Sequence, residues 1–103
     1  MILVCKKAIN IKMCDKFFNR LKGFMFKKNI NYGLCFNKCN SIHTFFMFEK
    51  IDVIMTDKNN KILYIFNNLG PCRIILPKKN VYYTYEIPNG YNSYKIGDYL
   101  QFK

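Results

Sequence analysis

Residues 52–66, DVIMTDKNNKILYIF, give the clearest indication of the fold. The first β-rich run, Asp52–Asp57, and the second, Lys61–Phe66, are joined by the polar segment Lys58–Asn60. Strand-forming residues on both sides of a short asparagine-containing turn are typical of a β-hairpin. The stretch therefore predicts two paired antiparallel strands.

After Lys61, the second run of this hairpin is apolar at every position from Ile62 to Phe66. Strict alternation predicts that Ile62, Tyr64 and Phe66 share one face, while Leu63 and Ile65 share the other. Because both faces would need cover, this strand is predicted to lie in the interior of a sheet.

Short apolar runs separated by glycine, proline and asparagine extend the same pattern along the chain. Pro88–Gly90 and the segment 94–98 are predicted turns, since glycine supplies positive φ there. Pro71 and Pro77 bracket a further short segment. The other predicted strands are Met1–Cys5, Ala8–Met13, Gly33–Phe36, His43–Phe48, Val81–Ile87 and Tyr99–Phe102.

One short helix is predicted near residues 16–22, with Asp15 as its N-cap and Gly23 as its left-handed C-terminal cap. Half of the 103 residues are hydrophobic, which excludes a disordered chain and suffices for one core. The fold class is therefore predicted as mainly β. Residues 1–103 should form a small single-domain antiparallel β-barrel, or a barrel-like sandwich, with this helix.

The formal net charge of +11 indicates an anionic partner such as nucleic acid. However, Arg20 and Arg73 are the only arginines, and the lysines are scattered in pairs instead of forming one run. Arginine is the usual reader of phosphate and guanine, and clustering marks a nucleic-acid footprint. Nucleic-acid binding is therefore kept as an alternative that the sequence does not favour.

The five cysteines are an odd number, and the first residues do not have the pattern of a secretory signal. No apolar run approaches the ~18 residues of a membrane span. The sequence therefore predicts a cytoplasmic protein with reduced thiols, without a membrane span and without a cofactor.

Residues 39–47, CNSIHTFFM, hold the only histidine and are followed closely by the acidic strand 51–57. Cys39 and His43 suggest a nucleophile and its base, with Asp52 as the orienting group if residues 43–48 and 51–57 form a hairpin. A zinc site is a second alternative. Neither set is complete, because the nucleophile and base have no evident third group without that hairpin and the zinc ligands include no Cys-x-x-Cys pair. The candidate metal ligands are Cys35, Cys39, His43 and Cys72.

Six elements in order resemble a known family, the domain-of-unknown-function 192 family of small prokaryotic proteins. They are Arg20-Leu21-Lys22-Gly23-Phe24-Met25, Cys39–Met47, Ile51–Ile54 with Asp57, Pro71-x-Arg73, Glu86-Ile87-Pro88-Asn89-Gly90 and Gly97-Asp98. Departures include Lys50, where a proline is common, and Phe24 in place of leucine. The resemblance implies a compact, mostly antiparallel β-barrel with one short helix, and it implies no established activity.

The hypothesis that best fits these observations is a non-enzymatic binding or accessory domain that recognises a protein segment or a small polar ligand. No catalytic residue is assigned; a Cys/His enzyme, a zinc protein and a nucleic-acid-binding barrel are the alternatives. A structural interpretation is also open, in which His43 pins a hairpin and Arg20 pairs with Glu86 or Asp98. The candidate ligand-binding residues are His43, Thr44, Met47 and Asp52, with Arg20, Glu86 and Asp98 as supporting charges.

Overall fold

A computed structural model describes residues 1–14, 28–44 and 47–103. The helix predicted near residues 16–22 lies outside these ranges. No helix within these ranges is long and apolar enough to cross a membrane. The strands are β1 (Ile2–Leu3), β2 (Ile9–Met13), β3 (Gly33–Asn37), β4 (Ile42–His43), β5 (Ile51–Thr56), β6 (Ile62–Leu69), β7 (Ile74–Ile75) and β8 (Tyr83–Pro88).

The prediction of a mainly β protein is confirmed. Six strands form one sheet in the order β1-β2-β3-β8-β5-β6, and β4 pairs with β7 in a separate two-stranded sheet. Every pairing is antiparallel except that of β2 with β3, which is parallel. The sheet is thus mixed, whereas the sequence predicted antiparallel pairing.

The sheet is not closed into the predicted barrel, and β1 and β6 are its two ends. The predicted terminal strand 99–102 reduces to two isolated bridges, Leu3 with Phe102 and Lys61 with Tyr99. Backbone bonds from Val4 N–H to the Gln101 carbonyl and from Ile62 N–H to the Asp98 carbonyl, both 2.8 Å, support this arrangement. The C-terminal segment therefore touches both ends of the sheet without forming a continuous ladder.

The hairpin that the sequence predicted most clearly is confirmed as β5 and β6. The Asp57 carboxylate stabilises its turn by accepting the N–H groups of Asn59 at 2.8 Å and Lys61 at 3.0 Å. Asn60 takes the left-handed conformation with φ of 63°, which asparagine tolerates better than most residues.

Two register shifts in the β5–β6 ladder change which side chains share a face. One lies between Met55 and Thr56, and a bulge of this kind reverses the alternation of side chains beyond it. The buried apolar residues form two clusters, one on each face of the sheet. As a result of the shift, Ile62 belongs to the first cluster, while Tyr64 and Phe66 pack against the second. The predicted common face for these three residues is therefore wrong, and β6 lies at the end of the sheet instead of in its interior.

Apolar clusters cover both faces of the sheet. The interior strand β5, between β8 and β6, is buried at all six positions, since its alternate residues enter opposite clusters. The first core cluster contains Leu3, Ile9, Ile11, Cys35, Ile54, Ile62, Tyr85, Ile87 and Leu100. The second core cluster contains Cys14, Leu34, Phe36, Met47, Ile51, Val53, Met55 and Ile75.

Close packing at Gly33 generates a first prediction. A Cβ atom at Gly33 would lie 2.6 Å from Cδ1 of Ile11 and 3.2 Å from the Glu86 carbonyl oxygen. Gly33→Ala is expected to lower the free energy of unfolding by about 1–3 kcal/mol, because a filled core must shift to admit a methyl group. Urea unfolding followed by circular dichroism measures the change.

Gly70→Ala is the matched control, since its added Cβ would meet no heavy atom within 4 Å. We expect that change to stay within about 0.5 kcal/mol of the wild type. Equal effects of the two substitutions would contradict the packing described at Gly33.

Candidate functional site

The histidine-bearing motif forms one side of a two-stranded ribbon. We call residues 40–44 together with 73–78 the motif ribbon. Ile42 pairs with Ile75 and His43 with Ile74, and the Lys78 N–H donates to the Asn40 carbonyl at 3.1 Å. Ile75 is buried in the second core cluster and Ile42 packs against it. The ribbon therefore lies over the second face of the sheet.

Thr44 fastens one end of the motif ribbon. Its fully buried hydroxyl donates to the Gly70 carbonyl at 2.7 Å and accepts the Arg73 N–H at 2.8 Å. Its backbone carbonyl also accepts the N–H of Cys72, which has a left-handed φ of 61°. These bonds hold the loop between β6 and β7 in place, so the polar atoms of Thr44 are engaged within the chain.

The other predicted residues of the motif divide between surface and core. His43 is half-buried and lies opposite Ile74 on the outer side of the ribbon. Met47, in contrast, is buried in the second core cluster. Thr44 and Met47 are therefore held in the interior, whereas His43 reaches the surface.

Asp52 lies at a different junction from the one the sequence predicted. Its carboxylate accepts the N–H of Asn68 at 2.9 Å, the side-chain amide of Asn89 at 3.0 Å and the N–H of Gly90 at 3.0 Å. The condition for an Asp52–His43 contact, a hairpin of residues 43–48 with 51–57, is not met, because β4 pairs with β7 while β5 pairs with β6 and β8. Asp52 therefore joins the turn after β8 to the bulged end of β6.

The predicted supporting charges do not share one environment. Asp98 is exposed, and its carboxylate accepts the Lys95 N–H at 2.9 Å in the last turn. Glu86 is buried on β8 between Leu34 and Val53 of the neighbouring strands, and its Oε1 atom has no hydrogen-bond partner among the residues that the structure describes. Burial raises the pKa of Glu86 to about 8. Arg20, with its predicted ion pair, lies outside the described residues.

The cysteines are free thiols, and those predicted as ligands differ in environment. Cys35 is fully buried, and burial raises the pKa of its thiol to about 12, so it stays protonated at neutral pH. The Cys39 thiol donates to the Ser41 carbonyl at 3.1 Å, and Cys72 is exposed. Across ranges 1–14, 28–44 and 47–103, no three or more His, Cys, Asp or Glu side chains are arranged to hold a metal ion.

Two exposed aliphatic residues complete the outer side of the motif ribbon, and the sequence analysis missed them. Ile74 is 61% exposed and Leu76 is 68% exposed. The available signal was the short apolar segment between Pro71 and Pro77, whose alternate residues must point in opposite directions once it pairs as a strand. His43, Ile74 and Leu76 thus form an outward surface on the ribbon.

These features define a small mainly β protein with a mixed sheet and a histidine-bearing ribbon over one face. The chain belongs to the DUF192 family. The sequence model of this family, described as Uncharacterized ACR, matches residues 3–102. The family assignment from the sequence motifs is confirmed. The family has no established function.

Similar proteins agree with this assignment. A UPF0127 protein of Thermococcus sibiricus is 35% identical over 102 residues, which cover 90% of this chain and 66% of that protein. UPF0127 protein PH1112 of Pyrococcus horikoshii is 41% identical over 86 residues, covering 78% and 73% of the two chains. The crystal structure of a protein of unknown function from Novosphingobium aromaticivorans has a TM-score of 0.82 at 15% identity, covering 98% of this chain and 82% of that one. That likeness shows the fold.

The bonds of Thr44 generate a second prediction. Thr44→Val keeps the side-chain shape but leaves the Arg73 N–H and the Gly70 carbonyl without their partner. We expect the free energy of unfolding to fall by about 1–3 kcal/mol, the cost of unsatisfied buried polar groups. Thr56→Val is the matched control: this hydroxyl is also buried but donates only to the adjacent Asp57 carbonyl. Equal losses in urea unfolding would contradict the role assigned to Thr44.

The buried carboxyl of Glu86 generates a third prediction, which concerns how stability depends on pH. The direction of this dependence follows from the difference between the pKa of Glu86 in the folded and unfolded states. The folded state holds the proton up to about pH 8, whereas the unfolded state releases it near 4.5. The contribution of Glu86 to stability should therefore be fully present below pH 4.5 and be lost as the pH rises to about 8. Glu86→Gln, which stays neutral, should lose this dependence.

Unfolding of both proteins across this pH range measures the effect. The stability of Glu86→Gln relative to wild type should rise by about 2 kcal/mol or more between acidic and mildly alkaline pH, because one unit of pKa shift corresponds to about 1.4 kcal/mol. Parallel pH profiles for the two proteins would show that Glu86 does not titrate as described.

Proposed function

We propose that this chain is a non-enzymatic binding domain and that the outer side of the motif ribbon recognises a protein segment. The observation that carries the proposal is the surface formed by His43, Ile74 and Leu76. His43 and Ile74 are directly opposed in an antiparallel pair, and opposed side chains project to the same side. Leu76 follows two residues after Ile74, so strand alternation gives it the same direction.

The chemistry of this surface favours an occupant with apolar and acidic side chains. Ile74 and Leu76 leave most of their aliphatic surface in water, and an apolar partner would remove it. Arg73, the residue before Ile74 in the sequence, is exposed, and the chain carries a net charge of +11. Acidic residues that flank the apolar ones would complement this charge and speed association.

A protein segment is a better occupant than a small polar ligand. A polar ligand needs free hydrogen-bonding groups that converge on it, but the hydroxyl of Thr44 and the carboxylate of Asp52 are used within the chain. The outward surface instead offers one imidazole beside two aliphatic side chains.

The proposal also disfavours cysteine–histidine catalysis. A nucleophilic cysteine is activated by a base that accepts its proton, whereas the Cys39 thiol donates to the Ser41 carbonyl. Cys35 is protonated and buried. A binding role needs neither group.

Peptides selected from a displayed random library against the wild-type chain provide the probe for a fourth prediction. We expect the selected peptides to combine apolar with acidic residues. Leu76→Ser and Ile74→Ser should each weaken their binding about tenfold, because contacts at the centre of a binding surface carry most of its energy. Fluorescence anisotropy of labelled peptides measures the dissociation constants.

Ile96→Ser is the matched control, since Ile96 is 65% exposed, as are Ile74 and Leu76 at 61% and 68%, but it lies in the last turn. His43 is the only histidine, so its ring signal in a proton NMR spectrum should shift when peptide is added. The proposal fails if Ile96→Ser weakens binding as much as Leu76→Ser, or if the histidine signal stays unchanged at saturation.

A further inference from the structure

We propose that a second surface, distinct from the outer side of the motif ribbon, binds single-stranded nucleic acid without sequence preference. We call Tyr64, Tyr82, Lys58 and Lys78 the tyrosine–lysine surface. Bases would stack on the two tyrosine rings while the lysines contact the phosphates. This inference does not depend on the protein-segment proposal.

The backbone brings the two tyrosines to the same end of the sheet. The Tyr82 N–H donates to the Thr56 carbonyl at 2.8 Å, at the end of β5. Tyr64 pairs with Met55 on the other side of the same strand. The two rings therefore flank the last residues of β5, one on the side of β8 and the other on the side of β6.

A lysine ammonium lies over each of these rings. Lys58 Nζ is 5.5 Å from the centre of the Tyr82 ring, and Lys78 Nζ is 5.7 Å from the centre of the Tyr64 ring. The two lysines arrive from different segments: Lys58 from the β5–β6 turn and Lys78 from the end of the motif ribbon. The surface therefore gathers positive charge from separate parts of the chain, which scattered lysine pairs in the sequence did not reveal.

Both rings are partly held by protein and partly accessible. Tyr64 is half-buried against the second core cluster, and half-buried Tyr82 makes an edge contact with Tyr83, whose ring centre lies 4.7 Å away. Held rings lose little freedom when a base stacks on them, and stacking contributes about 1–3 kcal/mol per base. The lysine over each ring can swing to a phosphate when a base takes its place, since its stem is flexible.

These groups fit a single strand better than a duplex. A duplex hides the faces of its bases, so tyrosine rings could not stack on them. Arginine is the usual residue for bidentate recognition of guanine in the major groove, and Arg73 is the only arginine in the described part of the chain. Lysine contacts to phosphates together with aromatic stacking are the recurring features of proteins that bind single strands without sequence preference.

Fluorescence anisotropy with a labelled oligothymidylate of about 12 nucleotides tests this fifth prediction at several salt concentrations. Wild-type affinity should fall steeply with salt. Tyr82→Leu should weaken binding about tenfold, in line with the loss of one stacked base. Lys58→Gln and Lys78→Gln should each reduce the salt slope by about 1. Circular dichroism confirms that each variant is folded.

The chain offers a matched control pair elsewhere. Lys12 Nζ lies 5.8 Å from the centre of the Tyr32 ring, beside β2 and β3. Tyr32→Leu and Lys12→Gln change the same residue types at the same separation, so both should bind the oligonucleotide as the wild type does. Leu76→Ser should also leave this binding unchanged, and Tyr82→Leu should leave peptide binding unchanged, which separates the two proposals.

Three results would overturn the inference. The first is that the wild-type protein binds no oligonucleotide at low salt, since the tyrosine–lysine surface would then not bind single strands. Equal losses in Lys12→Gln and Lys58→Gln, with no loss in Tyr82→Leu, would assign binding to net charge alone. If heparin or a duplex of the same length binds as tightly as the single strand and Tyr82→Leu has no effect, the surface is a general anion site without stacking.

Discussion

The double-sided burial of β5 is the constraint on which the rest of the structure depends. All six residues of Ile51–Thr56 are buried, and both edges of this strand are paired, with β8 on one side and β6 on the other. A strand of this kind needs apolar cover on each face and leaves no backbone group for water. The first core cluster covers one face. The second core cluster, to which the motif ribbon contributes Ile75, covers the other. The ribbon is therefore held against the sheet by the burial that β5 requires.

Most carboxylates in the described part of this basic chain accept hydrogen bonds from backbone N–H groups. Glu49, Asp52, Asp57 and Asp98 each accept at least one backbone N–H, from residues 29, 68, 59 and 95 among others. Such bonds fix turns by satisfying donors that have no partner in a strand. Glu86 differs because it is buried and, within ranges 1–14, 28–44 and 47–103, its Oε1 atom has no hydrogen-bond partner. The carboxylates thus stabilise local structure, and the net charge of +11 stays available to partners. Both proposed surfaces depend on that charge.

Local patterns in the sequence were sufficient for the hairpin, its turn and the family. The Asp57–Asn60 turn could be predicted because its side chains satisfy their own backbone. The position of Ile62 could not, since one inserted residue in a ladder reverses the alternation without any local signal in the sequence. The strand partner of His43 could not be predicted either. Nearby strands usually pair, but here His43 pairs with Ile74, far along the chain. The exposure of Ile74 and Leu76 follows from that long-range pairing, so the candidate site became visible only in the structure.

The bridges made by the C-terminal segment have a consequence for self-association. Sheet ends present unpaired N–H and C=O groups that can pair with another chain. Residues 99–103 occupy part of both ends at once, through Leu3 with Phe102 and Lys61 with Tyr99, and the Lys103 N–H also donates to the Ile2 carbonyl. Detachment of this short tail would uncover two edges in one event. The last residues of the chain therefore protect it against edge-to-edge aggregation, a role that depends on backbone bonding more than on the identity of their side chains.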